Sequence, residues 1–254
     1  MVFMQKHPLI SINLSLGSYQ GFIEEILSLT DEECSECICV ANVHMLIEAY
    51  RDKDFAEIVN HSIVVTPDGV PLLWGLKWLY GIKQERVAGM DLFPDLLALA
   101  SKQAIPVFFY GGTEVILSSI KQYITKHCSG IPFVGTYSPP FRPLTSEEEK
   151  SVVEIINSAG AKLVFVSLGC PKQEKWMASM KGRIHATMIG VGAAFPVLTG
   201  MQTMAPQWIR DAGLEWLYRF FQEPKRLWKR YLITNTLFVY LLIKEKIKQY
   251  CAKR

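Results

Sequence analysis

Small and polar side chains follow five short apolar segments of this 254-residue sequence, at positions typical of binding loops. In a parallel sheet, ligands bind where the strands end and the chain leads into helices. The carboxylate, amide and lysine side chains of these loops can move protons or hold polar groups, and their glycines let a ligand approach the backbone. The five loops are Ala41–His44, Thr66–Gly69, Gly111–Thr113, Gly169–Glu174 and Gly190–Phe195.

Asp68 is the residue in these loops with the clearest chemistry. It follows an apolar segment and precedes Gly69, so its carboxylate could serve as a general base or bind a sugar. The alternative is structural, because Pro-Asp-Gly also favours a tight turn. Spacing alone favours the turn.

Two other loops open predicted helices, and helix N-termini favour anions. Gly111 and Gly112 would let the backbone approach a diphosphate, although a tight strand-to-helix turn explains them equally well. Lys172 and Gln173 follow Pro171 at the start of another predicted helix and could contact a phosphate or a base. No GxGxxG or P-loop pattern occurs, which argues against a dinucleotide-binding enzyme.

Apolar segments alternate with helix-length segments along the first 204 residues, which predicts a Rossmann-like α/β fold with a mostly parallel sheet and helices on both faces. Thr145 is expected to cap the helix that follows it. The predicted strands are Leu9–Leu14, Ile38–Val43, Ser62–Thr66, Pro106–Tyr110, Pro132–Thr136, Leu163–Leu168 and Ala186–Val191. The predicted helices are His44–Ile58, Leu72–Tyr80, Asp91–Gln103, Thr113–His127, Ser146–Ala159 and Lys172–Lys181.

The charge is divided unevenly along the chain. The formal net charge of +3 gives no reason to expect a nucleic-acid partner. Residues 205–254 carry eleven Lys and Arg against four Asp and Glu, a net charge of +7, whereas residues 1–204 carry −4. We therefore divide the chain into an α/β domain at 1–204 and a basic helical appendage at 205–254. Aromatic residues interleave with the basic ones there, which suits an anionic membrane surface or the solvated face of an ordinary helix.

The ends of the chain and the cysteines predict a cytosolic protein. Residues 1–9 do not resemble a secretory signal, and the twelve-residue stretch Leu232–Ile243 is too short for a membrane span, which needs about 20 apolar residues. Cys34 and Cys37 form a CxxC pair, but no second pair completes a zinc site. We expect reduced thiols, no bound metal and no cofactor.

Nine stretches of the sequence, taken together, are more specific than any single loop. They are Asn42, Asp68–Pro71, Glu85–Asp91, Phe109–Gly112, Gly169–Glu174, Gly190–Phe195, Ala205–Trp208, Gly213–Arg219 and Glu223–Arg226. In this order, and over nearly the whole chain, they resemble the bacterial WecG/TagA/CpsF glycosyltransferase family.

The resemblance implies an inverting, metal-independent enzyme, peripheral on the cytoplasmic face of the bacterial membrane. It would move an N-acetylmannosamine-type or glucose-type sugar from a UDP-sugar to a polyprenyl-diphosphate-linked sugar, in the synthesis of teichoic acid, capsule or another surface polysaccharide. The family's base falls on Asp68 with Asn42 beside it, and its donor-side residues fall on Arg86 and Gln173. The appendage would bind the membrane and supply arginines to the acceptor diphosphate. The candidate arginines are Arg219, Arg226 and Arg230.

Two departures from the family pattern support a second hypothesis. Val40 stands where many members have Thr, and Met204 stands where many have Arg. A catalytically weak, nucleotide-sugar-binding scaffold at the membrane therefore stays open. A homo-oligomer is compatible with either hypothesis.

Overall fold

Strands and helices alternate along the chain in the computed structural model, which describes residues 4–31 and 34–252. The strands are β1 (Lys6–Leu9), β2 (Ile12–Ser15), β3 (Cys37–Ala41), β4 (Val64–Pro67), β5 (Val107–Gly111), β6 (Phe133–Tyr137), β7 (Leu163–Ser167) and β8 (Thr187–Gly190). The helices are α1 (Tyr19–Asp31), α2 (Val43–Arg51), α3 (Lys53–His61), α4 (Val70–Tyr80), α5 (Gly89–Gln103), α6 (Glu114–His127), α7 (Ser146–Ser158), α8 (Lys172–Met180), α9 (Ala194–Leu198), α10 (Gln207–Asp211), α11 (Glu215–Gln222) and α12 (Pro224–Cys251).

Six strands form one parallel sheet in the order β4-β3-β8-β7-β5-β6. Successive side chains of a strand point to opposite faces, so Ile38 and Val40 of β3 join one hydrophobic cluster while Cys37, Cys39 and Ala41 join another. Helices α1, α5, α6 and α9 cover the first face, and α2, α3, α4, α7, α8 and α12 cover the second. The predicted α/β class is confirmed, and six of the seven predicted strands lie within two residues of their predicted bounds.

The predicted single strand over Leu9–Leu14 is wrong. β1 and β2 instead form an antiparallel two-stranded sheet, and the chain turns between them at Ile10 and Ser11. Ile10 has a φ of 59°, in the left-handed region that a β-branched residue rarely adopts. The turn carries no glycine or asparagine, so nothing in the local sequence marks it.

The helices of residues 1–204 differ from the prediction in three places. The predicted helix His44–Ile58 is wrong as one element, because Asp52 ends α2 and begins α3. The backbone N–H of Asp52 donates to the Glu48 carbonyl, and its side chain accepts the N–H of Phe55 at 3.1 Å. Helices α1 and α9 were not predicted. The expected cap at Thr145 is confirmed as part of a capping box.

The C-terminal segment, residues 205–252, is helical as predicted and packs against the sheet-covering helices. Phe238, Leu241 and Leu242 of α12 are buried in the same cluster as one face of the sheet. A Cβ added to Gly75 of α4 would lie 3.2 Å from Leu242, so the two helices approach closely there. The boundary at residue 204 stays a prediction, and the buried contacts of α12 run across it.

Substitution of Phe238 tests this packing. Phe238→Ala removes a ring that is 3% exposed and should lower the free energy of unfolding by about 3–5 kcal/mol, measured by urea denaturation. The neighbouring Val239 is 53% exposed, so Val239→Ala should change the same quantity by less than about 0.5 kcal/mol. Equal stability of the two variants would show that α12 is not part of the core.

Candidate active site

A cavity of about 500 Å³ opens at the carboxyl ends of β3, β4, β7 and β8. These four strands are neighbours in the sheet, so the loops that follow them meet at one edge. Helices α10, α11 and α12 of the C-terminal segment supply a further wall. Eight of the residues proposed from the sequence line this cavity: Asn42, Asp68, Arg86, Lys172, Gln173, Arg219, Arg226 and Arg230.

Hydrogen bonds tie together the loops that follow β3 and β4. The backbone N–H groups of Asp68 and Gly69 donate to the Ala41 carbonyl at 2.9 and 3.3 Å. Asn42 caps α2, since its Oδ1 accepts the N–H of Met45 at 3.1 Å. The predicted catalytic pair, Asp68 and Asn42, is therefore held side by side at the mouth of two neighbouring strands.

Arg86 links Asp68 to the C-terminal segment. Its Nε donates to the backbone carbonyl of Asp68 at 2.8 Å. Its Nη2 lies 3.3 Å from Asp68 Oδ1 and donates to Glu215 Oε2 at 2.6 Å. One guanidinium is thus shared by two carboxylates, and all three side chains are largely buried.

The environment of Asp68 makes its carboxyl an unusually strong base. Burial is the largest cause and raises the pKa of Asp68 to about 7. Arg86 opposes this rise and Glu215 adds to it. A carboxylate whose pKa lies near neutrality accepts a proton far more readily than an ordinary aspartate, which is what a general base requires.

The cavity carries a surplus of positive charge. Only two carboxylates, Asp68 and Glu215, line it among the described residues. Six cationic side chains face them: Arg86, Lys172, Arg210, Arg219, Arg226 and Arg230. A surplus of this kind suits diphosphate groups, and arginine can bind them through two parallel hydrogen bonds.

The three predicted acceptor-side arginines differ in their partners. Arg226 pairs with Glu223, its Nε lying 2.6 Å from Oε2. Arg219 and Arg230 form no ion pair with any side chain that the structure describes. Their charges are available to a ligand without first breaking a bond inside the protein.

Comparison with known proteins establishes the kind of enzyme to which this site belongs. A family model described as the glycosyl transferase WecG/TagA/CpsF family matches residues 7–252. The chain belongs to this family. It is similar to a protein of Bacillus subtilis (strain 168) named N-acetylglucosaminyldiphosphoundecaprenol N-acetyl-beta-D-mannosaminyltransferase, with 29% identity over 244 residues, covering 96% of this chain and 92% of that protein. The protein is thus a glycosyltransferase, as the resemblance implied.

In this glycosyltransferase, Gln173 holds two loops of the cavity together. It is buried, and its Oε1 accepts the N–H groups of Gly169 and Gly192 at 3.2 Å each. Its Nε2 donates to Glu174 at 2.7 Å. These bonds give Gln173 a positioning role, and its contact with a donor stays a prediction. Lys172, one residue earlier, is exposed at the start of α8.

Gly111 and Gly112 do not line the cavity of this transferase. Gly111 is the last residue of β5 and Gly112 follows it, and β7 and β8 lie between β5 and β3 in the sheet. Gly111 has a φ of 104°, and a Cβ there would lie 2.4 Å from the carbonyl oxygen of Ser167. Close packing of β5 against β7 thus accounts for Gly111, and binding of a diphosphate by either glycine stays a prediction.

The two departures from the family pattern lie at the edge of the site. Val40 lines the cavity, and a Cβ added to Gly89 would lie 3.3 Å from Cγ1 of Val40. Met204 lines a small neighbouring pocket together with Glu215 and Arg219. Despite these two departures, Asp68, Arg86 and the arginines of the C-terminal segment all line the cavity.

The cavity is also lined by His44, Arg210 and Glu215, for which the sequence predicts no catalytic or binding role. Burial lowers the pKa of His44, with a contribution from Arg230, so its ring is neutral at physiological pH. His44 Nδ1 and Arg210 Nε are buried without a hydrogen-bond partner among the described residues. Among these three residues, only Glu215 could have been singled out from the sequence. It precedes Arg219 by four residues, and residues at this spacing lie on the same face of a helix.

The part of the chain that the structure describes contains neither a metal-binding cluster nor a membrane-spanning helix. Within residues 4–31 and 34–252, no three His, Cys, Asp or Glu side chains are grouped as a metal site requires. No helix in that part of the chain is long and apolar enough to cross a bilayer. All six cysteines are free.

Asp68→Asn should stabilise the protein, and by more at alkaline than at acid pH. The pKa of Asp68 rises from its ordinary value of 3.8 to about 7 on folding, so the folded state binds the proton more tightly. The wild-type protein therefore loses stability as the pH increases between these values, whereas asparagine has no proton to lose. The stability gain of the variant should grow by about 2–3 kcal/mol from pH 5 to pH 8, measured by urea denaturation. A gain that is the same at both pH values would mean that Asp68 has an ordinary pKa.

Proposed function

We propose that this glycosyltransferase moves N-acetylmannosamine from UDP to a polyprenyl-diphosphate-linked N-acetylglucosamine, with inversion at the anomeric carbon and without a metal ion. One observation carries the proposal: Asp68, with its raised pKa, lies in a single cavity with enough cations for two diphosphates. The name of the Bacillus subtilis relative supports this choice of sugar and acceptor. A glucose-type sugar is the second candidate donor.

Asp68 acts as the base. Its carboxylate takes the proton of the acceptor hydroxyl while that oxygen attacks the anomeric carbon. The attack comes from the side opposite UDP, the bond to the UDP oxygen breaks, and one displacement inverts the configuration. Asn42, held beside Asp68 by the loop hydrogen bonds, orients the sugar at this point.

Different parts of the chain hold the two diphosphates. The UDP leaving group gains negative charge as its bond breaks, and Lys172 with the N-terminus of α8 lies at the cavity to stabilise it. Arg219, Arg226 and Arg230 bind the acceptor diphosphate from the C-terminal segment. These cations do the charge neutralisation for which other transferases use a divalent metal.

The C-terminal segment also attaches the enzyme to the membrane. One face of α12 is buried, and a second face carries exposed apolar side chains at spacings of four and seven residues, here called the apolar stripe. The stripe consists of Trp228, Leu232, Val239, Ile243 and Tyr250. Combined with the net charge of +7 over 205–254, it suits an anionic bilayer surface.

We therefore place the protein on the cytoplasmic face of the bacterial membrane, in the synthesis of teichoic acid or a related surface polysaccharide. Residues 1–204 hold the nucleotide sugar. Residues 205–254 meet the lipid and its diphosphate.

The transfer reaction is tested by UDP release from UDP-N-acetylmannosamine in the presence of a polyprenyl-diphosphate N-acetylglucosamine, with UDP-glucose in parallel. We expect the wild-type protein to release UDP in buffer that contains EDTA. Because a general base contributes about 10²–10⁴ in rate, Asp68→Asn should be slower by that factor. Asp54→Asn, at an exposed aspartate outside the cavity, is the matched control and should keep the wild-type rate.

Three results would contradict parts of this proposal. UDP binding without turnover of either donor would favour the scaffold hypothesis. A full rate for Asp68→Asn would remove the base from Asp68. Loss of activity in EDTA would show that a metal takes part.

Membrane attachment is tested by sedimentation with anionic liposomes. Leu232 is 62% exposed on the apolar stripe, so Leu232→Glu should weaken binding about tenfold or more through lost apolar burial and added negative charge. Val115→Glu, at a residue of α6 that is 66% exposed, should bind liposomes like the wild-type protein. Unchanged liposome binding by Leu232→Glu, with an altered oligomeric state, would show that the stripe joins two copies of the chain.

A further inference from the structure

Glu215 enters the cavity from the C-terminal segment and contacts the residue that supports the base. It is the first residue of α11, and it accepts a hydrogen bond from Arg86 Nη2 at 2.6 Å. Arg86 lies 129 residues earlier in the chain, directly before α5. The contact therefore joins the C-terminal segment to the sheet edge at the reacting group.

The guanidinium of Arg86 is shared unequally. Its shortest bond goes to Glu215, and its contact with the Asp68 carboxylate is the longest of the three, at 3.3 Å. That contact involves Oδ1 only. No described residue donates a hydrogen bond to Asp68 Oδ2, and Asp68 lines the cavity. One oxygen of the carboxylate is thus left for a substrate hydroxyl.

We propose that Glu215 is a positioning residue, which holds Arg86 away from a closed pair with Asp68 and so keeps the Asp68 carboxylate available to the acceptor. This inference rests on the proposed function, in which Asp68 is the base.

The physical reason is the geometry of arginine. A guanidinium and a carboxylate form two parallel hydrogen bonds when nothing competes, and such a pair occupies both carboxylate oxygens. Glu215 competes for Nη2, so Arg86 orients Asp68 through the backbone carbonyl without closing on its side chain. Removal of Glu215 would let the closed pair form.

The charges around Asp68 agree with this role. Arg86 from the loop before α5 and Arg219 from α11 are the cations that act on it, and Glu215 is the anion. Burial raises the pKa of Asp68 most, both arginines lower it, and Glu215 raises it. Replacement of Glu215 by a neutral side chain should therefore lower this pKa.

Two variants separate the charge of Glu215 from its hydrogen bond. Glu215→Gln keeps an oxygen for Arg86 but loses the charge, so the acid limb of the pH profile of kcat should move down by about one pH unit. Glu215→Ala loses both, so kcat should fall about tenfold or more while KM for the UDP-sugar stays within about twofold. Glu245→Ala, at a carboxylate of α12 outside the cavity, should match the wild-type profile.

A second readout does not depend on turnover. Carboxyl ¹³C NMR follows the titration of Asp68 directly, and its signal is identified by its loss in Asp68→Asn. The midpoint should fall in both Glu215 variants. An unchanged midpoint together with an unchanged acid limb would overturn the inference, as would a Glu215→Ala enzyme faster than wild type, since Glu215 would then be blocking a ligand's place. A midpoint that falls in a protein without transferase activity would support the coupling of Glu215 to Asp68 and contradict only the proposed function.

Discussion

The guanidinium of Arg86 lies between two carboxylates from distant parts of the chain, and the candidate site depends on that arrangement. A carboxylate buried at a sheet edge is costly unless it is protonated or paired. Both conditions are met in part at Asp68. Its pKa is raised, and Arg86 donates to its backbone carbonyl and to one of its carboxylate oxygens. In the proposed arrangement, Glu215 keeps this pairing incomplete. The Asp68 carboxylate, which is 25% exposed, would then stay available to act as the proposed base.

The order of the strands explains why Asp68 lies in a cavity at the sheet edge. β4, β3, β8 and β7 are consecutive in the sheet, so their loops bring a carboxylate, an amide, a lysine and a glycine turn to one edge. The C-terminal segment then covers that edge with arginines, because α12 is fixed by its own buried side chains to the helices beneath. The packing of the segment therefore completes the wall of the cavity.

The sequence predicts what depends on local pattern and misses what depends on tertiary contacts. Continuous apolar runs locate the six sheet strands, and hydroxyl and carboxylate chemistry locates the cap at Thr145. The sequence does not predict the left-handed turn at Ile10, because that residue lies in a run of apolar residues. It does not predict the end of α2 at Asp52 either, because the helical periodicity continues through this residue. In the site, the sequence predicts that Asp68 and Asn42 lie in loops that follow strands. The bond from Gly192 to Gln173 and the ion pair of Glu215 with Arg86 join residues from different elements, so only the fold reveals them.

We propose that a single cavity, built by the sheet edge and the C-terminal segment together, holds the donor beside Asp68. A crystal structure of the full chain with a non-hydrolysable UDP-sugar tests it most directly. The account predicts a diphosphate against the loops after β7 and β8, with the anomeric carbon facing Asp68 and the acceptor side bounded by Arg219 and Arg230. A nucleotide bound at the start of α6, beyond the reach of a sugar ring from Asp68, would contradict it.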